Sequence, residues 1–256
     1  GLKFFNKPKI VSQDWPIFCD LIDGLFNGLE ADWFSDPILE ANLIAAAKHY
    51  NYQAKVGDGL VAKAIQYHEI LGVRHSVFLI GNPGTAKSAI WKTLAKAYNI
   101  GGYTGKPEWD TKIAIIDPKA VTSNELYGFV NPKTKDWKDG CLSVIMRNMN
   151  KCNPPFKESQ KQKWLVLDGD VDPEWIETMN TVMDDNKVLT LVSQERIPLT
   201  PAMKLVIEVS NLSQASPATV SRGGVLFINE SDVGWLPYFV SWLVKYKKDD
   251  LIDSSL

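Results

Sequence analysis

Apolar positions along the chain follow two different spacings. Between residues 14 and 74 they recur at helical intervals. Asp14-Trp15-Pro16 offers an acidic cap candidate and an early proline, and Ile17, Leu21, Ile22, Leu25 and Phe26 follow on one helical face. A turn-rich patch at Asp32–Pro37 precedes a helix expected from Ile38 to His49. Gly57-Asp58-Gly59 breaks the chain before another at Leu60–Leu71. From residue 76 onward, short apolar runs alternate with helical stretches. Strands are expected at 76–80, 112–116, 163–167, 204–209 and 224–229, and helices at 87–98, 141–150, 173–184 and 215–221. Such alternation predicts an α/β fold, a parallel sheet with helices on both faces. Val188–Leu191 and Glu195–Pro198, separated by Val192-Ser193-Gln194, read as a hairpin inserted between a helix and a strand. A last helix is expected from Trp235 to Tyr246, before a polar tail.

Composition narrows the class. With 256 residues, 45% hydrophobic and 23% charged, the chain can bury a sizeable core. A formal charge of −2 gives no sign of nucleic-acid binding, and no apolar run approaches the length of a membrane span. Cys19, Cys141 and Cys152 fit neither a disulfide framework nor a metal spacing, so a reducing, cytoplasmic setting is expected. His49, His68 and His75 are scattered, and packing is the expected role of each. The start carries neither a leader-like apolar run nor an initiator methionine, so an excised piece of a longer protein is expected.

The chemistry starts at Gly81-Asn82-Pro83-Gly84-Thr85-Ala86-Lys87-Ser88. This is a phosphate-binding loop with one departure: Ala86 stands where the pattern has its second glycine. Strand, loop and helix follow in the required order. Backbone N–H groups of such a loop form an anion-binding concavity, and the helix adds its positive dipole end. Lys87 is expected on the β- and γ-phosphates of ATP or ADP, and Ser88 on Mg²⁺. If residue 86 is left-handed, alanine there costs about 1–2 kcal/mol. That weakens nucleotide binding without abolishing it.

Lys163-Trp164-Leu165-Val166-Leu167-Asp168 is an apolar strand ending in a carboxylate. Asp168 is expected to ligate Mg²⁺; the alternative is a cap on the following helix. P-loop ATPases of this kind usually carry a glutamate next, which polarises the attacking water. Here that position is Gly169. Asp170 is the nearest substitute, and its bland reading is a turn carboxylate. Asn211 follows the strand 204–209 and reads either as a γ-phosphate contact or as a turn residue. Arg222 precedes the final strand and could serve its own site, a neighbour's site or a surface ion pair.

Longer runs carry a more specific signal. Ile116-Asp117-Pro118-Lys119-Ala120, Glu125-Leu126-Tyr127-Gly128, Trp137-Lys138-Asp139-Gly140, Leu167–Glu177, Met183–Leu191 and Ala218-Thr219-Val220-Ser221-Arg222 together resemble one AAA+ module of the dynein heavy-chain motor. The resemblance spans roughly residues 10–245. Asp168-Gly169-Asp170 resembles the second module of that motor, and the flavour is axonemal rather than cytoplasmic. The resemblance implies an AAA+ P-loop fold with a five-stranded parallel sheet. Residues 1–48 would be the helical tail of the preceding module and a connector. Residues 49–230 would form the large nucleotide-binding subdomain, and 231–256 the start of a small helical lid. It further implies that the module keeps its nucleotide bound and acts structurally, while Arg222 reaches the preceding module's site in trans. Adenine contacts would come from around 56–62. The implied partners are neighbouring AAA+ modules, with microtubules reached only through parts outside this chain, in the cytoskeleton of a cilium or flagellum. Two other readings stay open: an active ATPase using Asp170 or a partner's residue, and a nucleotide-free interaction module.

Overall fold

In the computed structural model, residues 6, 10, 13–26, 36–52, 54–55, 57–102, 104 and 110–248 are described. Three helices precede the first strand: α1 (Trp15–Leu25), α2 (Pro37–His49) and α3 (Gly59–Val73). Asp36 opens α2, its Oδ1 accepting the N–H groups of Ile38 at 2.9 Å and Leu39 at 3.2 Å. That satisfies two of the donors a helix start leaves orphaned. The chain then alternates through β1 (Ser76–Ile80), α4 (Lys87–Ile100), β2 (Thr111–Ile116), α5 (Ser123–Tyr127), β3 (Gly128–Val130), β4 (Trp137–Asp139), α6 (Cys141–Lys151) and β5 (Gln162–Asp168). It continues with α7 (Pro173–Ile176), α8 (Asn180–Met183), β6 (Val188–Thr190), β7 (Arg196–Pro198), β8 (Met203–Val209), α9 (Pro217–Arg222), β9 (Gly224–Phe227), α10 (Glu230–Val233) and α11 (Leu236–Lys248).

Two compact units divide these elements. One takes its described residues from 1–68, 82–108 and 227–256; the other comprises 69–81 and 109–226. In the first, α2 packs on α4. Leu39, Leu43, Ala46 and Ala47 meet a helix that buries Ile90, Trp91, Leu94 and Ala97. Polar links stitch the same unit. Asn42 Nδ2 donates to Gly102 O at 2.8 Å. Lys63, largely buried on α3, pairs with Asp232 of α10 at 2.9 Å and donates to Phe227 O at 2.8 Å. No residue of α1 is buried, although its apolar spacing is helical.

The second unit is built on a five-stranded sheet in the order β2-β5-β8-β1-β9. β2 pairs with β5, β5 with β8 and β8 with β1, all parallel. β1 is buried along its whole length, and β5 from Lys163 to Leu167, as strands covered on both faces must be. Two antiparallel hairpins decorate the sheet, β3–β4 and β6–β7. Arg147 of α6 ties them together, meeting Asp139 of β4 at 2.8 Å and Glu195, which precedes β7, at 2.7 Å. Those contacts hold the Asp139 and Glu195 carboxyls below the usual range.

The five expected strands and the inserted hairpin are present, with ends shifted by two residues at most. The β3–β4 hairpin was not expected, because its three-residue strands are mostly exposed and carry no apolar alternation. The single helix expected at 173–184 is two short ones. Between them Met179 N donates to Ile176 O and Asn180 N to Glu177 O, three-residue turns that leave the α-helical path.

A half-buried carboxyl, that of Glu69, lies near the end of α3. Burial lifts the Glu69 pKa from 4.5 to about 7, and its Oε2 is buried without a hydrogen-bond partner. The folded chain therefore binds a proton that the unfolded chain releases, so stability from this group is full below about pH 4.5 and is lost as pH rises through about 7. Glu69→Gln is expected to flatten the fall in melting temperature between those limits and to raise it above pH 7. Thermal unfolding across pH 4–8 measures this; identical pH profiles would contradict it.

Candidate nucleotide-binding site

β1 runs directly into the loop. Gly81 extends the ladder, donating its N–H to Val209 O at 3.3 Å. Beyond Gly81 the loop folds around one acceptor. Asn82 O receives Thr85 N at 3.3 Å, Thr85 Oγ1 at 2.9 Å and Lys87 Nζ at 3.0 Å. Asn82 Nδ2 in turn donates to Glu230 Oε1 of α10 at 2.9 Å. Pro83 needs no N–H partner at this exposed corner. Gly84 has φ 87° and Ala86 φ 72°, so the backbone alternates in hand through the loop. That alternation turns successive N–H groups toward one side, the geometry of an anion nest. Ala86 is the N-cap of α4, so Lys87 and Ser88 stand in the first turn, where N–H groups lack helical partners and the dipole is positive. The loop thus fits a phosphate chain.

The second unit gathers the other polar residues at the carboxyl ends of β5 and β8. Asp168 closes β5, exposed, in register with Glu208 of β8. In-register side chains of neighbouring strands leave the same face of a sheet. Glu208 is 7% exposed. Sequence reasoning passed over it, although a lone carboxylate inside the apolar run Leu205–Val209 was the available signal. Gly169 N donates to Glu208 O at 3.2 Å. A Cβ at residue 169 would lie 2.9 Å from Asp117 Oδ1 and 3.2 Å from Pro118 Cδ, so the end of β2 already occupies the space a side chain would need.

Asp170 is committed to β8. Its Oδ1 accepts Ser210 N at 2.9 Å and also the Ser210 hydroxyl. Asn211 forms a local turn, its Oδ1 accepting Ser213 N at 3.0 Å and Ser213 Oγ at 2.5 Å. Among the described residues, its amide hydrogens meet no acceptor. Arg222 ends α9 and meets α8 rather than these strand ends: its Nε donates to Asp184 Oδ1 at 2.6 Å. Among the described residues, the two terminal guanidinium nitrogens have no hydrogen-bond partner. Asp184 was not singled out from the sequence, because it acquires its role only through a tertiary contact.

Ser88 and Asp168 are hard oxygen donors suited to Mg²⁺. Among the described residues no group of three or more His, Cys, Asp or Glu could hold a metal by itself. Either residue alone would leave a Mg²⁺ ion dependent on phosphate oxygens and water, as Mg²⁺ at phosphate sites usually is.

The left-handed alanine gives a direct test. Ala86→Gly removes about 1–2 kcal/mol of backbone strain and loses about 0.4–1 kcal/mol through a freer unfolded chain. The expected net gain is about 0.5–1 kcal/mol, read from denaturant unfolding, whereas β-branched Ala86→Val is expected to destabilise. Loss of stability in Ala86→Gly would contradict the strain.

Comparison with known proteins agrees with this geometry. The family profile of AAA domains of the dynein-related subfamily matches residues 76–223. A second profile, the hydrolytic ATP binding site of the dynein motor region, matches residues 1–88. The ciliary dynein beta chain of Tripneustes gratilla is 50% identical over 243 residues, covering 95% of this chain. Axonemal dynein heavy chain 9 of Homo sapiens is 49% identical over 245 residues, 96% of this chain. The flagellar outer-arm dynein beta chain of Chlamydomonas reinhardtii is 47% identical over 249 residues, again 96%. The chain spans about 5% of the length of each of these relatives. With its five-stranded P-loop sheet, the chain belongs to the dynein-related family of AAA domains and is an ATP-binding AAA module of the dynein heavy-chain type.

Proposed function

We propose that this chain is the second AAA+ module of an axonemal dynein heavy chain, retaining ATP or ADP with little or no hydrolysis. The observation that carries this reading is the state of the two residues after Asp168. Gly169 has no side chain, and Asp117 stands where one would go. Asp170, the next carboxylate, has its Oδ1 engaged by the amide and hydroxyl of Ser210. Neither is poised to polarise a water as a general base must be.

In this reading the amides of Gly84–Ser88 bind the phosphates and Lys87 neutralises the β- and γ-groups. Ser88 and Asp168 hold Mg²⁺, which when bound offsets phosphate charge. Asn211 offers its amide hydrogens to the terminal phosphate. Arg222 acts on the preceding module's nucleotide, where such an arginine is worth orders of magnitude in rate. Its Nε contact with Asp184 supports this role, because it aims the side chain while leaving the paired terminal nitrogens for phosphate oxygens. Residues 1–48 would close the preceding module, in keeping with the hydrolytic-site profile matching residues 1–88. Residues 49–230 would be the large subdomain and 231–256 the start of the lid. The names of the relatives, ciliary, axonemal and flagellar, support an axonemal location, with microtubules bound by other parts of the heavy chain.

The test loads labelled Mg·ATP into a motor whose other P-loop lysines are disabled and follows the bound nucleotide. ATP retained unchanged is expected; ADP accumulating in the bound fraction would overturn the reading, and no retained label would favour the nucleotide-free alternative. Lys87→Ala is expected to abolish retention. Gly169→Glu is not expected to create turnover, because the new side chain must first displace Asp117.

With all sites intact, Arg222→Ala is expected to lower steady-state ATPase at the preceding module at least about a hundredfold. Asp184→Ala is expected to lower kcat there with little change in KM. Normal ATPase in Arg222→Ala would remove the trans role.

A further inference from the structure

The amino ends of β1 and β8 border a cavity of about 180 Å³ in the second unit. Its walls include His75, Lys187, Leu199, Thr200, Met203 and Lys204. It stands at the opposite end of the sheet from Asp168 and Asn211. Lys204 is the second residue of β8 and Asn211 lies two past its end, a separation of about 23 Å at the rise of a strand. Nothing in the proposed nucleotide chemistry uses this end.

Three features of the cavity point to a negatively charged occupant. First, three basic side chains line it, and among the described residues no carboxylate pairs with any of them. Lys204 Nζ donates to Leu71 O at 2.9 Å, and His75 Nε2 to Val182 O at 2.7 Å, so both are anchored by neutral carbonyls that cancel no charge. Second, the Thr200 hydroxyl is buried without a hydrogen-bond partner. Native structures rarely leave such a group unexplained, and an unlocated ligand is one of the accepted reasons. Third, the cations penalise one another. Burial first, then the positive charges of Lys187, Lys204 and Arg74, hold the His75 imidazole below its usual pKa against the opposing Val182 hydrogen bond. Burial, then Lys187, lowers that of Lys204. Like charges kept together without counter-charge are a cost that an anion would reverse.

We infer that this cavity binds a small tetrahedral oxyanion of the inorganic-phosphate class, held by Lys187, Lys204 and His75 with the Thr200 hydroxyl donating. The volume has room for one phosphate with part of its hydration. Because His75 Nε2 carries the proton given to Val182, the imidazole gains its charge at Nδ1. Two lysine ammoniums, one hydroxyl and an imidazole whose protonation an anion would favour suit an ion rich in acceptor oxygens.

The test reads lysine acylation by an amine-reactive ester, residue by residue, in the full-length protein by mass spectrometry. Inorganic phosphate at millimolar concentration is compared with chloride at matched ionic strength, and exposed Lys133 is the internal control. Phosphate is expected to slow acylation of Lys187 and Lys204 severalfold and to leave Lys133 unchanged. In Thr200→Val the half-protecting phosphate concentration is expected to rise about tenfold, the worth of one hydrogen bond to a charged group, and Thr200→Ser is expected to retain protection. Absence of protection, or protection equal at Lys133, would overturn the inference. So would protection untouched in Thr200→Val, or protection by ADP but not by phosphate.

Discussion

Three consecutive residues at the end of β8 hold the nucleotide motifs in place. Glu208 O accepts the N–H of Gly169, Val209 O accepts that of Gly81, and Ser210 donates its own N–H to Asp170. β8 lies between β5 and β1, so its two edges face the two strands that deliver the P-loop and the Asp168 segment. A parallel sheet has no hairpin to set register, and each pairing must be specified by burial. Here the apolar run Leu205–Val209 is buried on both faces, except that Glu208 is charged. A slip of one residue would move that charge to the other face and carry Gly81 and Gly169 out of alignment together.

The same arrangement limits the chemistry of the strand ends. An Asp170 that accepts both the amide and the hydroxyl of Ser210 has its donors supplied by β8. Turning it toward a water would forfeit hydrogen bonds to a charged acceptor, each worth about 1.5–3 kcal/mol when shielded and less at an exposed site like this one. Gly169 is closed in a different way, by packing rather than by polarity, since Asp117 is fixed against it by its own turn bond from Lys119 N at 2.9 Å. In the proposed reading, binding and catalysis separate on this ground: the loop has a nest and a helix start, while the residue after Asp168 carries no side chain to activate water.

The chain announces its sheet because the strands are short, apolar and punctuated, and the P-loop because its residues are consecutive and carry a mechanism. The β3–β4 hairpin was not legible: Gly128 and the exposed residues around it pair through backbone, and backbone pairing leaves little trace in side-chain pattern. Ala86 was legible as a departure, but its left-handed backbone required the structure. Asp170, Asn211 and Arg222 were visible as polar residues at promising places. What each does was not, because Ser210 lies 40 positions from Asp170, and Asp184 lies 38 from Arg222. Periodicity is local, and a carboxylate's partner is not. For Glu208 the sequence did carry a signal, a charge within a buried strand, and its register with Asp168 supplies the meaning.

Arg222 and the basic cavity are joined by one short stretch of chain. Along residues 180–187, Asn180 Oδ1 accepts the Thr219 hydroxyl of α9, Val182 O accepts His75, Asp184 accepts Arg222, and Lys187 lines the cavity. This stretch therefore touches the helix bearing the arginine and the residue just before β1. β1 is fully buried and continues at its far end into Gly81. A shift of α8 that reoriented Asp184 would pull on Val182 and thereby on His75, at the foot of the strand that ends in the P-loop. The physical requirement for communication is a contiguous set of contacts with an element that can occupy two positions. The contacts are present from Arg222 through Asp184 and Val182 to His75. The element best suited to move is α8 itself, four residues long and bounded on both sides by turns.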